Sequence, residues 1–158
     1  VLPFIVVLDG ITDVRNFGAI ARTCECAGVD AIVIPERGSV SVGGDAVKTS
    51  AGALLHIPVC RERSAASAVR FLKDNGYTVV AASEKADINY TMADYTVPVA
   101  IVMGAEDVGL SPEVMKLCDT FVSIPQFGHI GSLNVSVAAG VIIYEVVRQR
   151  LQSNMEVI

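Results

Sequence analysis

Three short stretches set polar side chains beside glycines, and each follows an apolar run. Asn16, Gly18, Ile20 and Arg22 alternate in the first. Gly104, Glu106 and Gly109 make the second. Ser132 and Asn134 follow Gly128 and Gly131 in the third. Glycine permits backbone conformations that other residues resist. Ser132 and Asn134 suit a helix start, because their oxygens accept from orphan N–H groups. Polar groups held in tight loops can present backbone and hydroxyl groups to a ligand. In open parallel sheets, ligands bind beyond the carboxyl ends of the strands, where such loops converge.

Other chemistries are not supported. No GxGxxG follows the first strand and no GxxxxGK[ST] occurs, so neither a dinucleotide nor a nucleoside-triphosphate site is expected. His56 and His129 stand alone. Cys24, Cys26, Cys60 and Cys118 form no CxxC pair and no zinc spacing. No metal site is expected, and reduced thiols in a cytoplasmic protein fit the cysteine usage.

The 158 residues suffice for one domain, and a hydrophobic content of 52% argues against disorder. No apolar run nears the roughly 20 residues needed to span a bilayer, and no basic segment precedes a signal-like stretch. The formal net charge of −5 does not by itself suggest a nucleic-acid partner. Local clusters of Arg and Lys could still supply phosphate contacts.

The positioning elements follow from the apolar pattern. Strands are expected at 4–8, 31–34, 56–60, 77–82, 98–104 and 120–125, as continuous apolar runs. Helices are expected from about 17 to 27, 45 to 51, 64 to 75, 111 to 118, and from Asn134 to about Arg150. Asn16 is placed to cap the first helix and Gly28 to end it. Gly18 lies one turn before Arg22 and leaves room for a ligand. Residues 83–96 read as a polar loop. Unbroken apolar strands alternating with helices predict an α/β domain, a parallel sheet with helices on both faces. The last helix is apolar nearly all round in its first turns, so it is expected in the core or against a second subunit.

The three stretches resemble the three signature motifs of the SpoU (TrmH-type) RNA ribose 2'-O-methyltransferases of the SPOUT superfamily. Asn-x-Gly-x-Ile-x-Arg stands as Asn16, Gly18, Ile20 and Arg22. The glycine–glutamate–glycine loop stands as Gly104, Glu106 and Gly109. Ile124-Pro125 followed by Ser132-Leu133-Asn134-Val135-Ser136 matches the third. Order and spacing agree from Leu8 to about Arg150.

That resemblance implies a fold which general topology rules would reject, because chains avoid knots. The SPOUT family carries a C-terminal deep trefoil knot, here over roughly 98–150, and is usually homodimeric. The whole of 1–158 would be the catalytic domain, and many relatives carry a separate RNA-binding domain before it. The implied cofactor is S-adenosylmethionine, held at Ala82, Ser83, Gly104, Ile124 and Leu133. The implied reaction is displacement of a methyl group from a sulfonium by a ribose 2'-hydroxyl.

Arg22 resembles the family's catalytic arginine. As a guanidinium it is a poor base, and stabilising the forming alkoxide suits it as well. Asn16 would orient Arg22 or the ribose. Glu106 would hold Arg22 or a loop amide, and Ser132 and Asn134 would complete the array. Arg15, Arg37 and Lys48 would contact RNA, ribosomal RNA before transfer RNA. The rival expectation is a non-catalytic RNA-binding or assembly module on the same fold.

Overall fold

A computed structural model of the chain describes residues 2–105 and 109–157. Seven strands form one sheet: β1 Phe4–Asp9, β2 Ala31–Pro35, β3 Val59–Glu62, β4 Thr78–Ala82, β5 Ile88–Asn89, β6 Val99–Gly104 and β7 Thr120–Ser123. Their order is β3-β2-β1-β6-β4-β7-β5, and every recorded pairing is parallel. The helices are α1 Val14–Ala27, α2 Gly44–Thr49, α3 Ala65–Asp74, α4 Pro112–Leu117 and α5 Val135–Val157.

The sheet is buried on both faces, as its unbroken apolar strands require. Alternate strand residues feed two cores. Val6, Leu8, Ile32 and Ile101 pack with Phe17, Ile20 and Cys24 of α1 and Ile142, Ile143 and Val146 of α5. Val7, Val79 and Val102 pack with Val69 and Leu72 of α3 and Val114 of α4. Burial pushes the Cys24 thiol up to about 12, so it is an inert core group.

Local signals explain most element ends. Ser64 and Ser67 close a reciprocal capping box at the start of α3. Gly28 ends α1 in the left-handed conformation. Pro112 opens α4 after Ser111. Several boundaries differ from expectation. The N-cap of α1 is Asp13, whose carboxylate accepts from the amides of Arg15 and Asn16 at 2.8 and 3.0 Å. Asn16 therefore lies inside the first turn, because a carboxylate three residues earlier takes those amides. β3 begins at Val59 rather than 56, since Ala53–Leu55 form a 3-10 turn that runs into His56. β7 stops at Ser123, leaving Ile124 and Pro125 in the following loop. Residues 83–96 contain β5 and a second 3-10 turn, at Tyr90–Met92.

The role expected for Gly18 is also corrected. Gly18 is buried, and a Cβ there would lie 2.1 Å from Thr49 Oγ1. It makes room for α2, not for a ligand. Helix α5 returns across the sheet to pack on α1. Its far end is pinned by Arg150, whose guanidinium donates to the carbonyls of Leu2, Pro3, Tyr95 and Val97 at 2.9–3.0 Å.

Candidate functional site

The loops after β1, β6 and β7 converge at one end of the sheet, as strand-end geometry predicts. Between the β6 and β7 loops lies a cavity of about 320 Å³. Met103, Val122, Ala138 and Ile142 give it an apolar floor. Gly104, Ile124, Ser132 and Leu133 form its walls, with Ala82 and Ser83 after β4. All five residues expected at a cofactor therefore line one cavity. Gly104 is needed there for a specific reason. A Cβ on it would meet the backbone of Gly109 and Leu110 at 2.7–2.8 Å. The close approach is made by the chain's own loop, which folds back at Gly109 with its amide donating to the Ala105 carbonyl at 2.7 Å.

A second hollow adjoins the first through Ala105 and Val135. Gly10, Ile11, Thr12, Asp13 and Asn16 complete its lining. At this junction the first and third stretches meet. The Asn134 side-chain amide donates to Asn16 Oδ1 at 3.1 Å. Asn134 Oδ1 in turn accepts from the Ser136 amide at 2.9 Å, which caps α5. Each asparagine thus has its carbonyl oxygen engaged by protein. Among the described residues the Asn16 NH₂ group has no recorded acceptor, so it is a donor at the hollow, able to hold an oxygen.

Arg22 is not brought to this junction. It is exposed and lines neither cavity. Six residues along α1 place it roughly 9 Å further up the helix axis than Asn16, and about 120° round from it. Glu106 lies outside the described residues. Arg15, Arg37 and Lys48 are all exposed, and none is in an ion pair among the described residues. Arg61 is committed elsewhere, donating to Ser39 Oγ and the Val40 carbonyl and so bracing the 36–44 loop.

Two acidic residues belong to the site that motif reading passed over. Asp13 lines the second hollow while capping α1. Its signal was present as a helix-capping residue three positions before Asn16. Asp9, at the end of β1, accepts from the Ser111 amide at 2.9 Å and ties down the far end of the β6 loop. Nothing local announces that bond, since its partners are 102 residues apart. Among the described residues, no group of His, Cys, Asp and Glu could hold a metal ion, and no helix is long and apolar enough to cross a membrane.

Residues 3–144 match the family model described as the SpoU rRNA Methylase family. A relative from Staphylococcus saprophyticus, described as a TrmH family tRNA/rRNA methyltransferase, is 42% identical over 94% of this chain and 60% of its own length. The chain thus spans about three-fifths of the curated relatives it matches. Among solved structures, the SpoU methyltransferase AviRb from Streptomyces viridochromogenes superposes with a TM-score of 0.88 at 30% identity, covering 96% of this chain and 61% of that one. That enzyme is also known in complex with the cofactor AdoMet. The structure of an RNA 2'-O ribose methyltransferase superposes with a TM-score of 0.83 at 30% identity, over 94% of this chain and 57% of that one.

Proposed function

The chain belongs to the SpoU rRNA methylase family, and on that footing we propose that it is the catalytic domain of an S-adenosylmethionine-dependent RNA methyltransferase acting on a ribose 2'-hydroxyl. Ribosomal RNA is the first substrate class and transfer RNA the second; the cell compartment is the cytoplasm. One observation carries the reading. The cavity walled by Gly104, Ile124 and Leu133 opens beside a hollow where Asn16 and Asn134 are hydrogen-bonded to each other.

The residues present fit the cofactor. An apolar floor and backbone-rich walls suit an adenine ring, and the volume lies in the range of small-molecule sites. Ala82, Ser83, Gly104, Ile124 and Leu133 would hold it. When bound, S-adenosylmethionine supplies a methyl group on a sulfonium, which is already a good leaving group. The protein's work is then to orient the sugar and stabilise charge on its oxygen.

Asn16 donates toward that oxygen from the hollow, and Asn134 fixes its orientation. Ser132, on the cavity wall, adds a hydroxyl. The role assigned to Glu106, from the family resemblance, is to hold Arg22 or a loop amide. Arg22 supplies the guanidinium that neutralises the alkoxide and clamps the neighbouring phosphate. Arg15, Arg37 and Lys48 add phosphate contacts.

Since Arg22 sits away from its own Asn16, we assign it to the partner's site in a homodimer. Support comes from α5. Val137, Tyr144 and Leu151 recur at heptad spacing and are 47–59% exposed. Gly140 of α5 adjoins Thr23 of α1, the residue after Arg22. A second copy on this face would cover the stripe and carry Arg22 across.

The reading also includes the trefoil knot. Its support is the return of α5 from β7, beyond β4, to α1, past Gly104, Ala105, Gly109 and Leu110.

Incubation of the full chain with radiolabelled S-adenosylmethionine and total RNA tests the function. Label in ribose 2'-O-methyl nucleotides is expected. Normal cofactor binding with no incorporation would favour the non-catalytic module.

A further inference from the structure

Between the two cavity-lining ends of the β7–α5 loop stand the two most exposed large apolar side chains among the described residues. Phe127 is 95% exposed and Ile130 is 79% exposed. His129, also exposed, lies between them. On one side Ile124 and Gln126 line the cavity; on the other, Ser132 and Leu133 do. The tip is therefore carried at the cavity rim, and its base is braced by Gln126, whose side-chain amide donates to the Ile124 carbonyl at 3.3 Å.

A single exposed apolar residue needs no explanation. An aromatic ring, an imidazole and a branched aliphatic within four residues at the mouth of a site do. The charges nearby restrict what they can hold. From Leu117 to Val147 the sequence contains no Lys and no Arg. The β7–α5 loop therefore offers RNA phosphates no lysine or arginine of its own, although Lys85 after β4 lines the same cavity. The loop can grip a base, because every nucleobase has a flat face that stacks on an aromatic ring whatever its sequence.

Resting on the methyltransferase reading, we propose that Phe127, flanked by His129 and Ile130, is a stacking platform for an unpaired nucleobase of the substrate RNA next to the target ribose. The cations of α1, Arg15 of the same chain and the partner's Arg22, hold the phosphates from the other side. Grip is thereby divided: electrostatic at Arg15 and Arg22, salt-insensitive at Phe127.

The test is RNA binding and methyl incorporation by the full chain, using total RNA, at salt from about 50 to 200 mM. Phe127→Ala should weaken RNA binding about ten- to hundredfold, with unchanged S-adenosylmethionine affinity and an unchanged slope against salt. Phe127→Trp should restore binding. Arg15→Ala should instead flatten the salt slope. RNA affinity within about twofold of wild type for Phe127→Ala would overturn the platform. So would a change in the sedimentation of Phe127→Ala, which would make the tip a protein interface. RNA binding that depends on Phe127 without methyl transfer by the wild type would keep the platform and remove the function.

Discussion

Asn134 donates its side-chain amide to Asn16 Oδ1 at 3.1 Å, joining two residues 118 positions apart. The same Asn134 caps α5 through its own carbonyl oxygen. One side chain thus starts a helix and aims a donor. Asn134→Ala should lose about 1 kcal/mol of stability from the cap and a further tenfold or more in transfer rate, an effect of the size expected when a positioned group is lost. Asn16→Ala should lower the rate with little change in stability, because Asp13 caps α1. If the two act as a unit, the double variant will be scarcely slower than the worse single one. Additive rate losses would mean that the bond has no part in turnover.

Arg22 gives a sharper test, because its distance from the junction in one chain makes a specific demand. Arg22→Ala should cut transfer by about 10²–10³-fold, as loss of an oxyanion donor does, while cofactor affinity is largely spared. Mixing Arg22→Ala with Asn134→Ala, after subunit exchange, should restore activity. In such a mixed dimer one site has both residues and the other has neither. No recovery on mixing, with heterodimers demonstrated, would return Arg22 to its own chain's site.

The sequence was informative where chemistry is local and silent where it is not. Unbroken apolar strands such as Val99–Gly104 predicted a sheet covered on both faces, and two cores are found there. The five positions expected at a cofactor, carried over from the family resemblance, line one cavity. The cap of α1 was misplaced because Asp13 and Asn16 are both good capping residues, and only the bonds to Arg15 and Asn16 amides decide between them. Gly18 was misread because its neighbour, Thr49, is 31 positions away and no local pattern reports it. The bond between the Ser111 amide and Asp9 went unforeseen for the same reason.

Three glycines separate packing from binding. Gly104→Ala would set a Cβ 2.7–2.8 Å from the backbone of Gly109 and Leu110, so the wall of the cavity must move. Cofactor affinity measured by calorimetry should fall tenfold or more, in keeping with about 1–3 kcal/mol for overpacking. Gly18→Ala should lower the melting temperature instead, since its Cβ would meet Thr49 at 2.1 Å and push α2 from α1. Gly140→Ala is the control. Its Cβ would find only Thr23 Cγ2 at 3.9 Å, an ordinary contact. There, replacing a mid-helix glycine should leave stability unchanged or raise it by up to about 1 kcal/mol. Equal cofactor affinity in Gly104→Ala and wild type would remove the β6 loop from the binding wall.

The acid limb of stability should report the join between α5 and the 90–97 loop. Glu145 is buried and accepts from Arg148 Nε at 2.6 Å and Nη2 at 2.9 Å. It also accepts from the Gln149 amide at 2.9 Å. Gln149 in turn donates to the Ala93 carbonyl at 3.0 Å and accepts from the Tyr95 amide at the same distance. The carboxylate therefore orients the amide that holds the loop. The hydrogen bond from Arg148, foremost, keeps the Glu145 carboxyl below its usual 4.5; burial opposes this and the Gln149 bond adds to it. A carboxyl held low in the folded state contributes stability above its unfolded value. That contribution is lost as pH falls through the folded value. Wild type should therefore melt higher than Glu145→Gln at neutral pH, and the gap should close as pH falls below 4.5. Burial, with Glu145 nearby, pushes the Tyr95 phenol upward, so Tyr95 does not titrate in this window. Thermal unfolding followed at a series of pH values measures the gap. A difference that stays constant from neutral to strongly acid pH would show that the Glu145 charge does not hold the loop.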